Sequence, residues 1–435
     1  MTEAEPCFGP LCPLMALYGA QSGRELFEWL QERTAGFSVP PPEFGAALSE
    51  RDYFLILPVQ SRTVILDRTV PDRGTPFTGL QLQVTDAAHP LQLDWQTVAM
   101  LGKRASLMIT FPLQNYTPSE YRQMVEDLLV AAQNGVRWLR LDTSRAPSWP
   151  EGGEFLSRLE AHGFVQLVRR TLDLVAPHIR LAAGENAPQA QNFAFFGSGG
   201  EADLVENLAL APLLLHALET EQAAALVAWA SGLKLPYPGL TFYNTLRFTG
   251  RDSFRCVEGL LPPDEVERML AHRTRGSGFL SALAGLPGSE RFDLLQERLR
   301  AAQAILLALT GLPGFELSHL PGGRLLRART SWGAFHPYGA QLTLPVENPA
   351  VFSLLRIAPD GRSLALCLQN VSAGLQEARP DLKTLGLQTG AWHDLISGEK
   401  AEFTQRPRIR LKSFQAVWFV PEEDPSKNLS LEVDA

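Results

Sequence analysis

Residues 117–142 read TPSEYRQMVEDLLVAAQNGVRWLRLD, and this stretch decides the fold class. Thr117 is placed to cap a helix, Pro118 suits its first position, and Glu120 completes a capping box. Tyr121, Met124, Val125, Leu128, Leu129 and Ala132 then recur at helical spacing, and Asn134-Gly135 supplies the stop. VRWLRLD follows at once, a buried strand ending on an acid. A helix feeding directly into such a strand is one unit of an α/β protein.

The unit repeats downstream. FLSRLEAHGFVQLVRRTLDLVA reads as a helix, and HIRLAAGEN as a strand ending in Gly184-Glu185. Residues 203–234 form an apolar, alanine-rich helical region before the strand LTFYNTL. A long amphipathic helix over 288–309 precedes GFELSHL, the last strand of the series. Helices alternating with strands that carry acids at their C-terminal ends predict a (β/α) barrel of the TIM type, whose chemistry sits on that face. From about Val346 the chain turns to short β-rich runs (VFSLLRI, SLALCLQNV, RIRLKSF, AVWFVP) split by turns such as Pro359-Asp360-Gly361. That is a small antiparallel domain. The expected division is therefore 1–345 for the barrel and 346–435 for the β domain.

Upstream of Thr117 the pattern is patchy. SGRELFEWLQERTAG predicts a helix, and Pro40, Pro41 and Pro42 a break. YFLILPV and ASLMITF read as buried strands, with DRTVPDRGTPF between them as loop.

With 435 residues, 45% of them hydrophobic and 20% charged, the chain has the composition of a soluble two-domain protein. Its net charge of −8 speaks against nucleic acid or an anionic membrane as partner. No basic-then-apolar leader and no membrane-length apolar run are seen, so a cytoplasmic protein is expected. Of Cys7, Cys12, Cys256 and Cys367, the first pair flanks a Gly-Pro and could bind a metal or form a disulfide, but no second ligand pair completes a zinc site, and the four read as free thiols. No cofactor or metal is implied.

LRLDTSRAPSW, GENAPQAQNFAFFGSGGEADLVENLALAPLLLHALE, VEGLLP, AFHPYGAQ, VFSLLR and LCLQNVS together resemble glycoside hydrolase family 13, the α-amylase superfamily. The chain looks closest to its sucrose phosphorylase-like branch, which includes glucosylglycerate phosphorylases. The resemblance runs from about Asn115 to Val420. It implies the barrel and the β domain independently, and a retaining mechanism on α-glucosides: one carboxylate attacks the anomeric carbon, a second acts as acid then base, and a third stabilises the transition state.

By that resemblance Asp142 matches the nucleophile and Arg140 its arginine partner; the bland alternative is a strand-end salt bridge. Glu185 is the candidate acid/base. An ungapped alignment, however, puts Gly184 at the family position, and one residue along a strand reverses the side chain unless a bulge intervenes. The third acid belongs to a His-Asp pair between LTFYNTL and VEGLLP, where Thr249 and Gly250 stand; Asp252 lies two residues further on. Three early strands carrying a further Asp and a His are also implied. The span before Asn115 reads as too short for them, and His89, in DAAHPLQLDW, as a surface loop residue. The expectation is thus an N-terminally shortened or remodelled barrel and a catalytically impaired homologue. Its role would be carbohydrate binding, regulation or assembly, with an α-glucoside ligand, a homodimer or an active paralogue as partner. The alternative is an active retaining phosphorylase or glycosidase using Asp142 and Glu185.

Overall fold

Short, almost wholly buried runs make the first sheet, as strands covered on both faces require. The computed structural model describes residues 9–37, 39, 48–60, 63–64, 79–84, 93–103, 105–112, 116–142, 154–248, 254–273, 278–345, 347–387 and 389–422. Its parallel strands are β1 (Phe54–Gln60), β3 (Gly79–Val84), β4 (Ser106–Pro112), β5 (Val136–Asp142), β6 (Arg180–Ala183), β7 (Leu204–Glu206), β8 (Thr241–Thr245) and β9 (Leu312–Glu316). They pair in that order and β1 also pairs with β9, so eight strands close into a barrel; the short β2 (Thr63–Val64) folds back antiparallel on β1.

The barrel therefore has eight strands, and the expected loss of early strands is not seen. YFLILPV and ASLMITF supply β1 and β4, and three parallel strands do fit before Asn115. The one the sequence reading passed over is β3, GLQLQV. Its polar alternation hides a barrel strand because Gln81 is fully buried and donates to Thr110 Oγ1 at 3.2 Å.

Contacts divide the chain into two compact units. The first gathers the chain through Glu206 except 48–53 and 186–189; the second gathers those two stretches and everything from Asn207.

In the first unit, α1 (Leu11–Tyr18) and α2 (Ala20–Thr34) precede the barrel, α3 (Trp95–Gly102) leads into β4, and α4 (Pro118–Gln133) into β5. The capping box at Thr117 forms as read, with the Thr117 amide donating to Glu120 and the Glu120 amide to Thr117 Oγ1. α2 buries Leu26 and Leu30 and docks on α4 through a two-bond Arg33–Glu126 pair and Arg122 over the Trp29 ring. α5 (Glu154–Val175) runs into β6.

The second unit holds α7 (Leu210–Thr220), α8 (Ala224–Ser231), α9 (Pro263–Arg273), α10 (Phe279–Ala284), α11 (Phe292–Ala308) and α12 (Gly323–Thr330). It also holds an antiparallel sheet of order β10-β11-β12-β17-β14-β15. These strands are β10 (Ala340–Thr343), β11 (Val351–Ile357), β12 (Leu364–Asn370), β14 (Gly390–Asp394), β15 (Lys400–Phe403) and β17 (Ala416–Pro421). A two-stranded ribbon of β13 (Gln376–Ala378) and β16 (Ile409–Leu411) completes the β domain. Leu355, Leu366, Trp392, Phe403 and Phe419 form its core.

Two fully buried arginines finish α11. Arg329, from α12, donates to Leu307 O and to Gly311 O, and Arg356, from β11, donates to Ala308 O at 3.2 Å and His336 O at 2.8 Å. The last carbonyls of a helix need donors, and cations suit its negative end.

Two histidines, His319 buried and His336 half-buried, give this unit an acid sensitivity. Burial pushes the His319 imidazole below its ordinary 6.5, against the raising effect of Glu316, and burial likewise lowers His336. Such a group stays neutral in the fold while its unfolded counterpart takes a proton, so stability is lost as pH falls from about 6.5 towards the folded values. Thermal melts from pH 7.5 to 5 are expected to show that fall, flattened in His319→Gln. A flat wild-type profile would contradict it.

Cys12 is disulfide-bonded, which corrects the expectation of free thiols throughout, whereas Cys256 and Cys367 are buried thiols outside any disulfide. Among the described residues no helix is long and apolar enough to cross a membrane.

Candidate active site

The site is built where β5, β6 and β7 end. Alternation along β5 puts Arg140 and Asp142 on one face. Arg140 Nη1 stands 3.4 Å from Asp142 Oδ1, with only 2% and 7% of the two side chains exposed. The same guanidinium donates from Nε and Nη2 to Glu206 Oε2, at 2.9 and 2.5 Å. One buried cation thus serves two buried carboxylates.

Register explains the gathering. β5 pairs with β6 through Arg140 and Ala182, and β6 with β7 through Ala182–Leu204 and Ala183–Val205. Continuing these ladders upward brings Asp142, Gly184 and Glu206 to one level on three neighbouring strands. The β6 and β7 ends approach so closely that a Cβ at Gly184 would lie 3.0 Å from Glu206 Cβ. Asn192, on α6 (Gln189–Phe193), ties the pair together: its Nδ2 donates to Glu206 O and its Oδ1 accepts from the Glu185 amide, both at 2.8 Å.

Glu185 follows Gly184 and is half-buried. Its Oε2 is buried with no hydrogen-bond partner among the described residues, an acceptor that the O–H of a bound hydroxyl would satisfy. Thr249, Gly250 and Asp252, the positions of the third acid, lie outside the described residues, as does His89. In the second unit Asn207 Nδ2 donates to Asn244 Oδ1 at 2.6 Å, and Asn244 Nδ2 to Thr310 O at 2.9 Å, fixing the polar residues at the start of α7's approach and in β8.

Sequence reasoning missed Glu206. It stands inside an alanine- and leucine-rich run that reads as helix from 203, whereas β7 occupies three residues and the helix starts at Leu210. The signal was there: LVE is an apolar pair ending on an acid, as in VRWLRLD.

No protein-family model matches the chain. It is 33% identical over 259 residues to a glucosylglycerate phosphorylase of Allomeiothermus silvanus, covering 53% of this chain and 46% of that protein. A glucosylglycerate phosphorylase of Spirochaeta thermophila is 25% identical over 381 residues, covering 71% and 64%. Over part of their length, the chain is similar to glucosylglycerate phosphorylases. The matches span less than two thirds of the length of either relative. Among solved structures, the α-amylase of Geobacillus thermoleovorans in complex with acarbose aligns at a TM-score of 0.58 and 11% identity over 86% of this chain and 99% of that one. The fold is that of an α-amylase: a closed parallel barrel with an antiparallel β domain. These relatives do not support the expectation of impaired catalysis; they back the catalytic alternative.

Proposed function

We propose that the chain is a retaining α-glucoside phosphorylase of the glucosylglycerate phosphorylase type. The observation that carries this reading is the buried Arg140–Asp142 pair at the C-terminal end of a barrel strand, where such barrels do their chemistry. An Asp142 oxygen bonds to the anomeric carbon as the glycosidic C–O bond breaks, and the leaving oxygen takes a proton from Glu185. Phosphate then attacks the same carbon, passing its proton to Glu185 and releasing Asp142, so the product is an α-glucosyl phosphate. The buried, unpartnered Glu185 Oε2 supports this second role. Asp252 is the position to test for a third acid.

The test is release of glucose 1-phosphate from glucosylglycerate or sucrose with inorganic phosphate, its α configuration read by NMR. Phosphate-dependent release is expected. Sugar binding without release would instead favour the non-catalytic, carbohydrate-binding role.

A further inference from the structure

We propose that Glu206 is a positioning residue that keeps Arg140 from closing onto Asp142; the proposal rests on Asp142 acting as nucleophile. A guanidinium left with one carboxylate settles into a two-bond pair, which engages both carboxylate oxygens. Attack on an anomeric carbon needs one of those oxygens facing the sugar. Here Nε and Nη2, the edge suited to such a pair, both donate to Glu206 Oε2. The ion pair between Arg140 and Asp142 runs from Nη1 to Oδ1 at 3.4 Å, beyond the ordinary hydrogen-bond range of about 2.7–3.2 Å. Asp142 therefore has the field of the cation without a tight clasp.

Three features show that the arrangement is built. Glu206 and Arg140 are 3% and 2% exposed, so the pair is shielded from water. Gly184 lets the β7 end approach, since any side chain there would meet Glu206 Cβ at 3.0 Å. Asn192 holds the Glu206 carbonyl at 2.8 Å. Glu206 Oε2 accepts both guanidinium bonds, so this oxygen is not placed to deliver a proton, and the role acts through Arg140.

The experiment compares wild type, Glu206→Gln, Glu206→Asp and Gly184→Ala by crystallography and by phosphorolysis kinetics. In Glu206→Gln, Arg140 is expected to close onto Asp142 as a two-bond pair, with kcat down about 10²-fold and KM little changed. Glu206→Asp, which keeps the charge, restores much of kcat. Gly184→Ala keeps Glu206 but displaces it, and lowers kcat in the same way; it serves, with Glu206→Asp, if Glu206→Gln does not fold. Arg140 unmoved in the Gln variant, or kcat unchanged, or a loss confined to melting temperature, each overturns the proposal. If the wild type releases no glucosyl phosphate, the proposed function is lost, and the crystallographic comparison alone decides whether Glu206 governs Arg140.

Discussion

Asp142→Asn is expected to abolish phosphate-dependent release of glucose 1-phosphate, by about 10⁴-fold or more, while the protein melts close to the wild-type temperature. The amide fills the same space at the end of β5, so the buried shape is kept, but it cannot form the glucosyl ester. Arg140 retains its two bonds to Glu206 Oε2, so the cation is not orphaned by the change. Asp142→Ala separates a nucleophile from a merely structural acid. The space it opens admits azide, which attacks the anomeric carbon directly and yields the inverted glucosyl azide. Full activity in Asp142→Asn would remove the assignment at once. An inactive alanine variant unrescued by azide would mark Asp142 as structural.

The largest stability effect is expected in the second unit. Arg356→Ala strips two donors from Ala308 O and His336 O at a fully buried position and leaves a cavity, a loss of about 3–5 kcal/mol. Burial and the neighbouring Arg329 press the Arg356 guanidinium down to about 9, so its charge is held against a real desolvation cost. Arg356→Met fills most of the volume and relieves that cost while still orphaning the carbonyls. It is therefore expected to lose less than the alanine variant. Urea unfolding followed by tryptophan fluorescence reads both; equal losses would mean that the charge term is negligible.

Much of the barrel was legible because its helices announce themselves. The cap at Thr117, the apolar stripe of α4 and the stop at Asn134-Gly135 leave little choice about where β5 begins. The β domain was legible from its alternating runs. Where sequence reading fell short, tertiary context overrode local pattern. β3 carries Gln81 inward because Thr110 on β4 receives its hydrogen bond, a partner no local window reveals. β7 has three residues, too few for a period of two to show against the leucine-rich helix beyond it. Losing β3 made the N-terminal half look too short, and losing β7 hid Glu206. Arg140 and Asp142 were legible as a pair from their spacing, but the third member of the cluster comes from a strand two places away.

Gly184 and Glu206 also impose an order on sequence change. A side chain at 184 forces the end of β7 outward, because it would meet Glu206 Cβ at 3.0 Å. That displacement costs little while residue 206 has no need to reach Arg140, and much once it does. The two positions are expected to show sign epistasis: a library varying both should tolerate alanine or serine at 184 beside an apolar residue at 206 and reject them beside glutamate. While Glu206 holds Arg140, this sequence can therefore explore new residues at 184 only after giving up the acid.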